Sequence, residues 1–177
     1  MTPELLLRRI RWVVGFFIVG LALSGITAFP LMHELALLGR ILAIDPARSA
    51  AEYSGLQHWI AFVWEALRFQ NTQYPFLAYG TDWLAFGHLV IAMFFIPAWR
   101  DPVRYRDVFV CGLAACGGVL VVAMICGPIR GIPVYWRLID CSFGVFGSVP
   151  LWWVLRMTDR LALMQKRDGK DEVCINK

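Results

Sequence analysis

The chain has 177 residues, of which 59% are hydrophobic and 17% are charged, and its formal net charge is +4. Soluble domains average roughly 45–50% apolar and 25% charged residues, so this composition argues against an ordinary soluble domain. The small positive excess does not indicate nucleic-acid binding, because the basic residues follow the connections between apolar segments instead of forming one patch.

Four long segments of the sequence have almost uncharged cores. Their predicted bounds are 10–30, 82–99, 107–128 and 134–157. At 1.5 Å per residue such segments can cross a membrane as helices, and they lack the alternation of barrel strands. The sequence therefore predicts an all-α polytopic membrane protein: one four-transmembrane-helix bundle over residues 1–164, followed by a flexible cytoplasmic tail over 165–177.

The basic residues lie on alternate connections between the predicted spans. Twelve of the 17 precede the first span, separate the second from the third, or follow the fourth. The positive-inside rule then places both termini in the cytoplasm. We expect an integral protein of a bacterial inner membrane, embedded in the lipid bilayer, with an uncleaved first helix and an outward-facing segment over 32–80.

The outer segment has the pattern of two helices. Residues 33–44 favour a short helix, and Asp45 followed by Pro46 predicts a second helix start, with the aspartate as N-cap and the proline at the first helical position. From there to Phe69 polar residues recur at helical spacing: Ser54, Gln57, His58, Glu65 and Arg68. This pattern predicts an amphipathic helix at the outer membrane surface, with His58 and Glu65 on a solvated face.

Small residues indicate which helix faces pack closely in the membrane. The first span carries them at four-residue spacing: Gly20, Ser24 and Ala28. The inward face predicted for the second span consists of Thr81, Ala85, His88 and Ala92. The narrow face of the fourth consists of Arg137, Asp140, Cys141, Gly144 and Ser148, with Gly147 beside it.

Ionisable residues gather toward the predicted outer half of the bundle. An aspartate within a span, such as Asp140, costs about 2.5–3.5 kcal/mol at the bilayer centre and marks a candidate functional site. We predict an outward-facing polar cup with His88 and Asp140 as candidate acid–base groups. Its predicted ligand-binding residues are His33, Glu34, Asp82, Arg130, Trp136 and Arg137. The alternative interpretation of Asp140 is a structural ion pair with Arg137 or Arg130.

Histidine at position 88 also admits a structural interpretation, an interhelical hydrogen bond. A haem site needs a second histidine at similar depth, and His33 and His58 both fall in the outer segment. A metal site needs two further ligands at one depth. Neither is favoured, so the sequence indicates no particular cofactor and no metal site.

The positions of the cysteines distinguish this chain from one class of membrane enzymes that it resembles in size. In length and topology the chain resembles the small four-helix oxidoreductases that pass electrons from thiols to quinone. Those enzymes depend on cysteine pairs in their outer connections, and both outer connections predicted here lack cysteine. Cys126 and Cys141 form the one candidate disulfide, near the outer ends of the third and fourth spans.

Three functional hypotheses follow from the sequence. The first is a protein whose polar cup binds a small amphipathic or lipid-like ligand, with acid–base chemistry as an option. The second is an accessory subunit that docks a membrane-protein partner. The third and weaker one is a transporter or channel that works as a homo-oligomer, since four helices are few for one alternating-access unit.

Overall fold

The computed structural model describes the backbone of residues 2–175 and the side chains of residues 2–167. This part of the chain is all-helical, as predicted. Its α-helices are α1 (Pro3–Ala28), α2 (Leu31–Ile41), α3 (Gly55–Gln73), α4 (Tyr79–Arg100), α5 (Arg106–Ile129) and α6 (Val134–Ile175). Short 3₁₀ segments precede α3 and α4, at Ala50–Glu52 and Pro75–Ala78.

Four helical segments are long and apolar enough to cross a membrane. They are Pro3–Ala28, Pro75–Arg100, Arg106–Ile129 and Val134–Arg167. Large apolar side chains point away from the protein along them, as at Phe16 (81% exposed) and Phe146 (75% exposed). A water-facing surface rarely carries so many such side chains, whereas hydrocarbon accommodates them. The chain therefore has the composition and the helices of an integral membrane protein.

Several helix bounds differ from the predicted ones. Helix α1 begins at Pro3 because the Thr2 hydroxyl accepts a hydrogen bond from the backbone N–H of Leu5 (3.4 Å) and caps the helix. Helix α4 begins at Tyr79, directly after a 3₁₀ segment. The backbone of α6 remains helical from residue 165 to Ile175, while residues 176–177 lie outside the described part. Flexibility of the 165–177 tail stays a prediction.

Contacts group the chain into two compact units. One contains the described residues up to Val19 and from Ala92 onward, and the other contains Gly20–Ile91, so that α1 and α4 contribute to both. The core of the first unit is built from residues of α1, α4, α5 and α6 that repeat at helical spacing: Leu6, Ile10, Val14, Phe95, Ala98, Phe109, Leu151, Val154 and Leu161. The prediction of a single domain over 1–164 stays a prediction.

Helices α1 and α4 are joined within the first unit by a pair of side chains. The indole N–H of Trp99 donates to the Arg11 carbonyl at 2.9 Å, and the Arg11 guanidinium donates to the Arg100 carbonyl at 3.1 Å. The same guanidinium lies 5.9 Å from the centre of the Trp99 ring. The bond from Arg11 satisfies the Arg100 carbonyl at the end of α4, which no helical N–H reaches.

The second unit holds α2 and α3 together through a glycine. A Cβ at Gly39 would lie 2.7 Å from the Trp64 ring, so only glycine allows α2 to approach the indole this closely. Gly25 plays the same part between α1 and α4, where a Cβ would lie 2.8 Å from the Ala85 carbonyl oxygen. The predicted face of Gly20, Ser24 and Ala28 is not the one used, because Gly20 has no neighbour there within 4 Å.

The helix start predicted at Asp45 and Pro46 is wrong. The Asp45 carboxylate does accept a hydrogen bond from a backbone N–H two residues on, at Ala47 (2.9 Å), but this closes an Asx turn. Ser49 then caps the first 3₁₀ segment, and α3 starts only after Ser54. Local side-chain hydrogen bonds of this kind compete with helix formation, and here they keep residues 45–49 out of a helix.

Candidate functional site

Helices α5 and α6 form an antiparallel hairpin whose backbones approach closely. A Cβ at Gly144 of α6 would lie 2.6 Å from the Cys116 carbonyl oxygen of α5. A Cβ at Gly112 would lie 3.0 Å from a methyl carbon of Leu151. Small residues at these crossings let the two backbones meet, as the sequence predicted for the narrow face of α6.

One end of the hairpin is joined by an ion pair that sequence reasoning missed. The Arg106 Nε donates to one Asp159 carboxylate oxygen at 2.6 Å, and a terminal guanidinium nitrogen lies 3.5 Å from the other. Both side chains are 43% exposed, so solvent screens the pair. Once α5 and α6 are taken as an antiparallel pair, residues at these opposite ends are expected to meet.

The other end of the hairpin is packed around Arg137. The carbon stem of this side chain lies against Gly127 of α5, where a Cβ would come within 2.8 Å of the Arg137 Cγ. The Nε of Arg137 is buried and has no hydrogen-bond partner among the described residues. The stem therefore works as an apolar spacer here, a common use of long basic side chains.

A groove of about 360 Å³ opens beside this end of the hairpin. We call it the α5–α6 groove. Its lining is Val119, Val122, Ala123, Cys126, Gly127, Arg130, Ile132 and Asp140. The lining residues from α5 share one face of that helix. Two lining residues are charged: Arg130, which directly follows α5, and Asp140 of α6. The groove therefore offers apolar walls with one cation and one carboxylate, a combination typical of sites for small organic ligands.

The structural ion pair considered for Asp140 does not form. Among the described residues neither Arg130 nor Arg137 lies within 4.0 Å of its carboxylate oxygens, and the carboxylate has no hydrogen bond. Arg137 is held instead against Gly127, which directs its stem toward α5. Asp140 and Arg130 therefore line the same groove as separate charged groups.

His88 has a defined tautomer. Its Nδ1 lies 2.9 Å from the Leu84 carbonyl oxygen, one turn earlier in α4. A carbonyl can only accept, so Nδ1 carries the hydrogen and a neutral ring has an unprotonated Nε2. In the described part of the chain this Nε2 has no partner. The side chain is half-buried where Gly25 of α1 crosses α4.

The remaining predicted site residues are distributed over both units. His33 and Glu34 lie exposed in the first turn of α2, and Asp82 lies half-buried in the first turn of α4. These three and His88 belong to the second unit. Arg130, Trp136, Arg137 and Asp140 belong to the first unit. A single cup formed by all of them stays a prediction.

Cysteines and metal ligands give no further site. Cys126 is exposed, Cys141 is buried, and both are free thiols, so the candidate disulfide is not formed. Within residues 2–167 no three His, Cys, Asp or Glu side chains are grouped so as to hold a metal ion. Cys126 is a lining residue of the α5–α6 groove.

The polar face of α3 has a role that the sequence did not reveal. His58 and Glu65 are both exposed, as predicted for this face, and both also bind the backbone of Ala50. The His58 Nδ1–H donates to the Ala50 carbonyl at 2.8 Å, and a Glu65 carboxylate oxygen accepts from the Ala50 N–H at 3.4 Å. Gln57 and Arg68 donate to the carbonyls of Leu42 and Pro46. This face therefore holds the preceding loop in place.

The fold and the groove together describe a chain of four apolar, membrane-compatible helices with a partly polar groove between the last two. No family model, curated protein or solved structure matches this chain.

Proposed function

We propose that this protein is an integral membrane protein that binds a small amphipathic or lipid-like ligand, with the α5–α6 groove as its binding site. The observation that carries the proposal is the pairing of apolar walls with two charged groups that do not neutralise each other. Val119, Val122 and Ile132 suit an acyl or isoprenoid chain. Arg130 suits an anionic head group, and the Asp140 carboxylate accepts from a hydroxyl or amine.

The groove is a continuation of the lipid-facing surface of α5. Val121, Val122 and Ile125 are all exposed on that helix, so a chain lying along it needs no water-filled path. An amphipathic molecule can then enter from the bilayer and place its head beside Arg130. Because the positive-inside rule puts the α5–α6 turn on the outer side, the groove belongs to the outward half of the bundle in this proposal.

Acid–base chemistry is the natural extension of this proposal. The Asp140 carboxylate is the candidate acid–base group within the groove. His88 belongs to the second unit, and its part in such chemistry stays a prediction. The ligand-binding proposal does not depend on either group acting as a catalyst. A protein that only retains or presents its ligand uses the same groove.

The experiment is native mass spectrometry of the full-length protein purified in mild detergent from its own membranes. The wild-type protein is expected to retain a bound species of defined mass. Arg130→Gln and Asp140→Asn each remove one charged group, and loss of one charge-assisted hydrogen bond is expected to weaken retention about tenfold.

Matched controls are Arg104→Gln and Asp107→Asn, which alter exposed charges outside the groove. Both are expected to retain the ligand as the wild type does. Absence of any bound species from the wild type, or equal retention by the groove variants and the controls, contradicts the proposal.

A further inference from the structure

A second cavity lies between α3 and the loop of residues 44–49, and the proposed function makes no use of it. Its volume is about 310 Å³. Its apolar lining comes from Ile44 and Ala61, which are buried, and from the Trp64 ring. We call this cavity the loop pocket.

The walls of the loop pocket are fixed before any ligand binds. Polar side chains of α3 hold the loop by its backbone, through Leu42, Pro46 and Ala50, as described above. The loop also braces itself, since the Asp45 N–H donates to the Tyr53 hydroxyl at 2.7 Å. A pre-formed pocket loses little conformational entropy on binding, which favours specific recognition of a small group.

Charged groups of both signs surround the loop pocket: Asp45, Arg48, Glu65 and Arg68. Among the described residues no ion pair joins either carboxylate to either guanidinium, and Arg48 instead lies 4.0 Å from Glu52. Each carboxylate binds one backbone N–H through a single oxygen, at Ala47 and Ala50, so its other oxygen remains available.

The two guanidinium groups also keep free donors. Arg68 donates one N–H to the Pro46 carbonyl at 3.2 Å and stands 5.3 Å from the centre of the Trp64 ring. Since a guanidinium has five N–H donors, most of those on Arg68 remain unused. The Arg48 side chain is 63% exposed and reaches the pocket from the opposite wall.

We propose that the loop pocket binds a zwitterionic group that combines a phosphate with a primary ammonium, the chemistry of phosphoethanolamine. Arg48 and Arg68 donate to the phosphate oxygens, for which guanidinium groups are well shaped. The free oxygens of Asp45 and Glu65 accept from the ammonium. A simple anion is disfavoured because two carboxylates stand beside its site, and a quaternary ammonium has no N–H to donate.

The test uses the full-length protein in phosphatidylcholine nanodiscs and isothermal titration with soluble probes. Phosphoethanolamine is expected to bind about tenfold more tightly than phosphocholine, because the second probe forfeits a charge-assisted hydrogen bond. Inorganic phosphate is expected to bind more weakly than phosphoethanolamine by a similar factor. In the lipid arm, native mass spectrometry compares how much phosphatidylethanolamine and phosphatidylcholine the protein retains. Preferential retention of phosphatidylethanolamine would identify a lipid head group as the ligand, whereas binding of soluble phosphoethanolamine alone would identify a free metabolite.

Two variants connect the selectivity to the loop pocket. Arg48→Gln removes an exposed guanidinium, while Glu65→Gln keeps an acceptor for the Ala50 N–H and removes the charge. Both are expected to weaken phosphoethanolamine binding about tenfold. Arg40→Gln, at an exposed position of α2 outside the pocket, is the matched control and is expected to bind as the wild type does.

The proposal is overturned if the wild type fails to prefer the primary ammonium in both the soluble and the lipid arm, or if inorganic phosphate binds as well as phosphoethanolamine. It is also overturned if the pocket variants and Arg40→Gln behave alike. The selectivity of the wild-type protein for a primary ammonium tests the proposal even where a variant fails to fold. The pocket variants separate this site from the α5–α6 groove, because they leave the charged groups of that groove, Arg130 and Asp140, unchanged.

Discussion

At the scale of single residues, the loop between α2 and α3 depends on bonds that its sequence does not reveal. His58 and Glu65 stand seven residues apart on a helix, a spacing equally typical of a solvated face. Their partner is the backbone of Ala50, which carries no side-chain signal. Polar residues of a surface helix can thus serve as anchors for a loop, and only the position of that loop distinguishes the two roles.

Removing one anchor should expose the loop to proteolysis. Arg48 is the only basic residue between Arg40 and Arg68, so trypsin reports directly on this loop. We expect His58→Leu to raise the rate of cleavage after Arg48 about fivefold, because a hydrogen bond is worth about 1 kcal/mol and cleavage follows the population of the open loop.

His33→Leu is the matched control for this experiment, since His33 is exposed in α2. Gel electrophoresis of timed digests gives both rates. Equal cleavage in the two variants and the wild type would show that the bond from His58 does not hold the loop.

Ala43 adopts a left-handed conformation at the end of α2, with φ of 52°. This position closes the helix, because the following N–H of Ile44 donates to the Gly39 carbonyl at 2.8 Å. A residue with a Cβ is strained there, and glycine is not. We expect Ala43→Gly to raise the free energy of unfolding by up to about 1 kcal/mol.

Ala47→Gly serves as the comparison for Ala43→Gly, because Ala47 lies in the same loop without a positive φ. It is expected to give no gain in stability. Thermal unfolding in one detergent measures both variants. A lower melting temperature for Ala43→Gly than for wild type would mean that its strain is not relieved by glycine.

At the scale of helices, the sequence predicted the elements better than their contacts. Long uncharged segments determine four apolar helices because length and hydropathy are properties of each segment alone. Register between helices depends on both partners. The chain uses Gly25 rather than the regularly spaced Gly20 against α4, and it joins Arg106 to Asp159, which no local pattern relates.

In the candidate site, too, the sequence predicted single residues better than their contacts. Arg130 and Asp140 were identifiable because charge within an apolar segment stands out in any sequence. The absence of an ion pair between Arg137 and Asp140 was not identifiable, since the stem of Arg137 turns toward Gly127 instead of toward the carboxylate. The polar wall of the loop pocket was missed because α3 was expected to begin nine residues too early, at Pro46 instead of Gly55.

The α5–α6 crossing gives a direct prediction at this scale. Gly144→Ala places a Cβ against the Cys116 carbonyl oxygen, which belongs to the backbone and cannot rotate away. We expect a loss of about 1–3 kcal/mol in the free energy of unfolding, as for other overpacked sites. Melting in detergent, followed by size-exclusion chromatography, measures the change.

Gly117→Ala is the control for this crossing, because Gly117 of α5 has no neighbour within 4 Å of the new Cβ. It is expected to be neutral or slightly stabilising, since alanine favours the helix over glycine by about 1 kcal/mol. Equal stability of both variants would mean that α5 and α6 do not cross as closely as described.

At the scale of the whole molecule, the arrangement in the membrane is the next prediction. The positive-inside rule places the connection between α4 and α5 in the cytoplasm and the turn between α5 and α6 outside. Alkaline phosphatase fused after Pro102 should therefore be inactive, and the same enzyme fused after Gly131 should be active. Green fluorescent protein fused at these positions should give the opposite pattern. Reversed activities would refute this orientation.

The central claim is that the α5–α6 groove holds a ligand, and photo-crosslinking tests it most directly. Val122 lines the groove, whereas its neighbour Val121 is similarly exposed but lies outside the groove lining. A photoreactive amino acid at either position is therefore surrounded by similar hydrocarbon. Irradiation of intact membranes followed by mass spectrometry should yield one dominant adduct at position 122 and only mixed bulk-lipid adducts at position 121. The same mixture of adducts at both positions would contradict a ligand site in this groove.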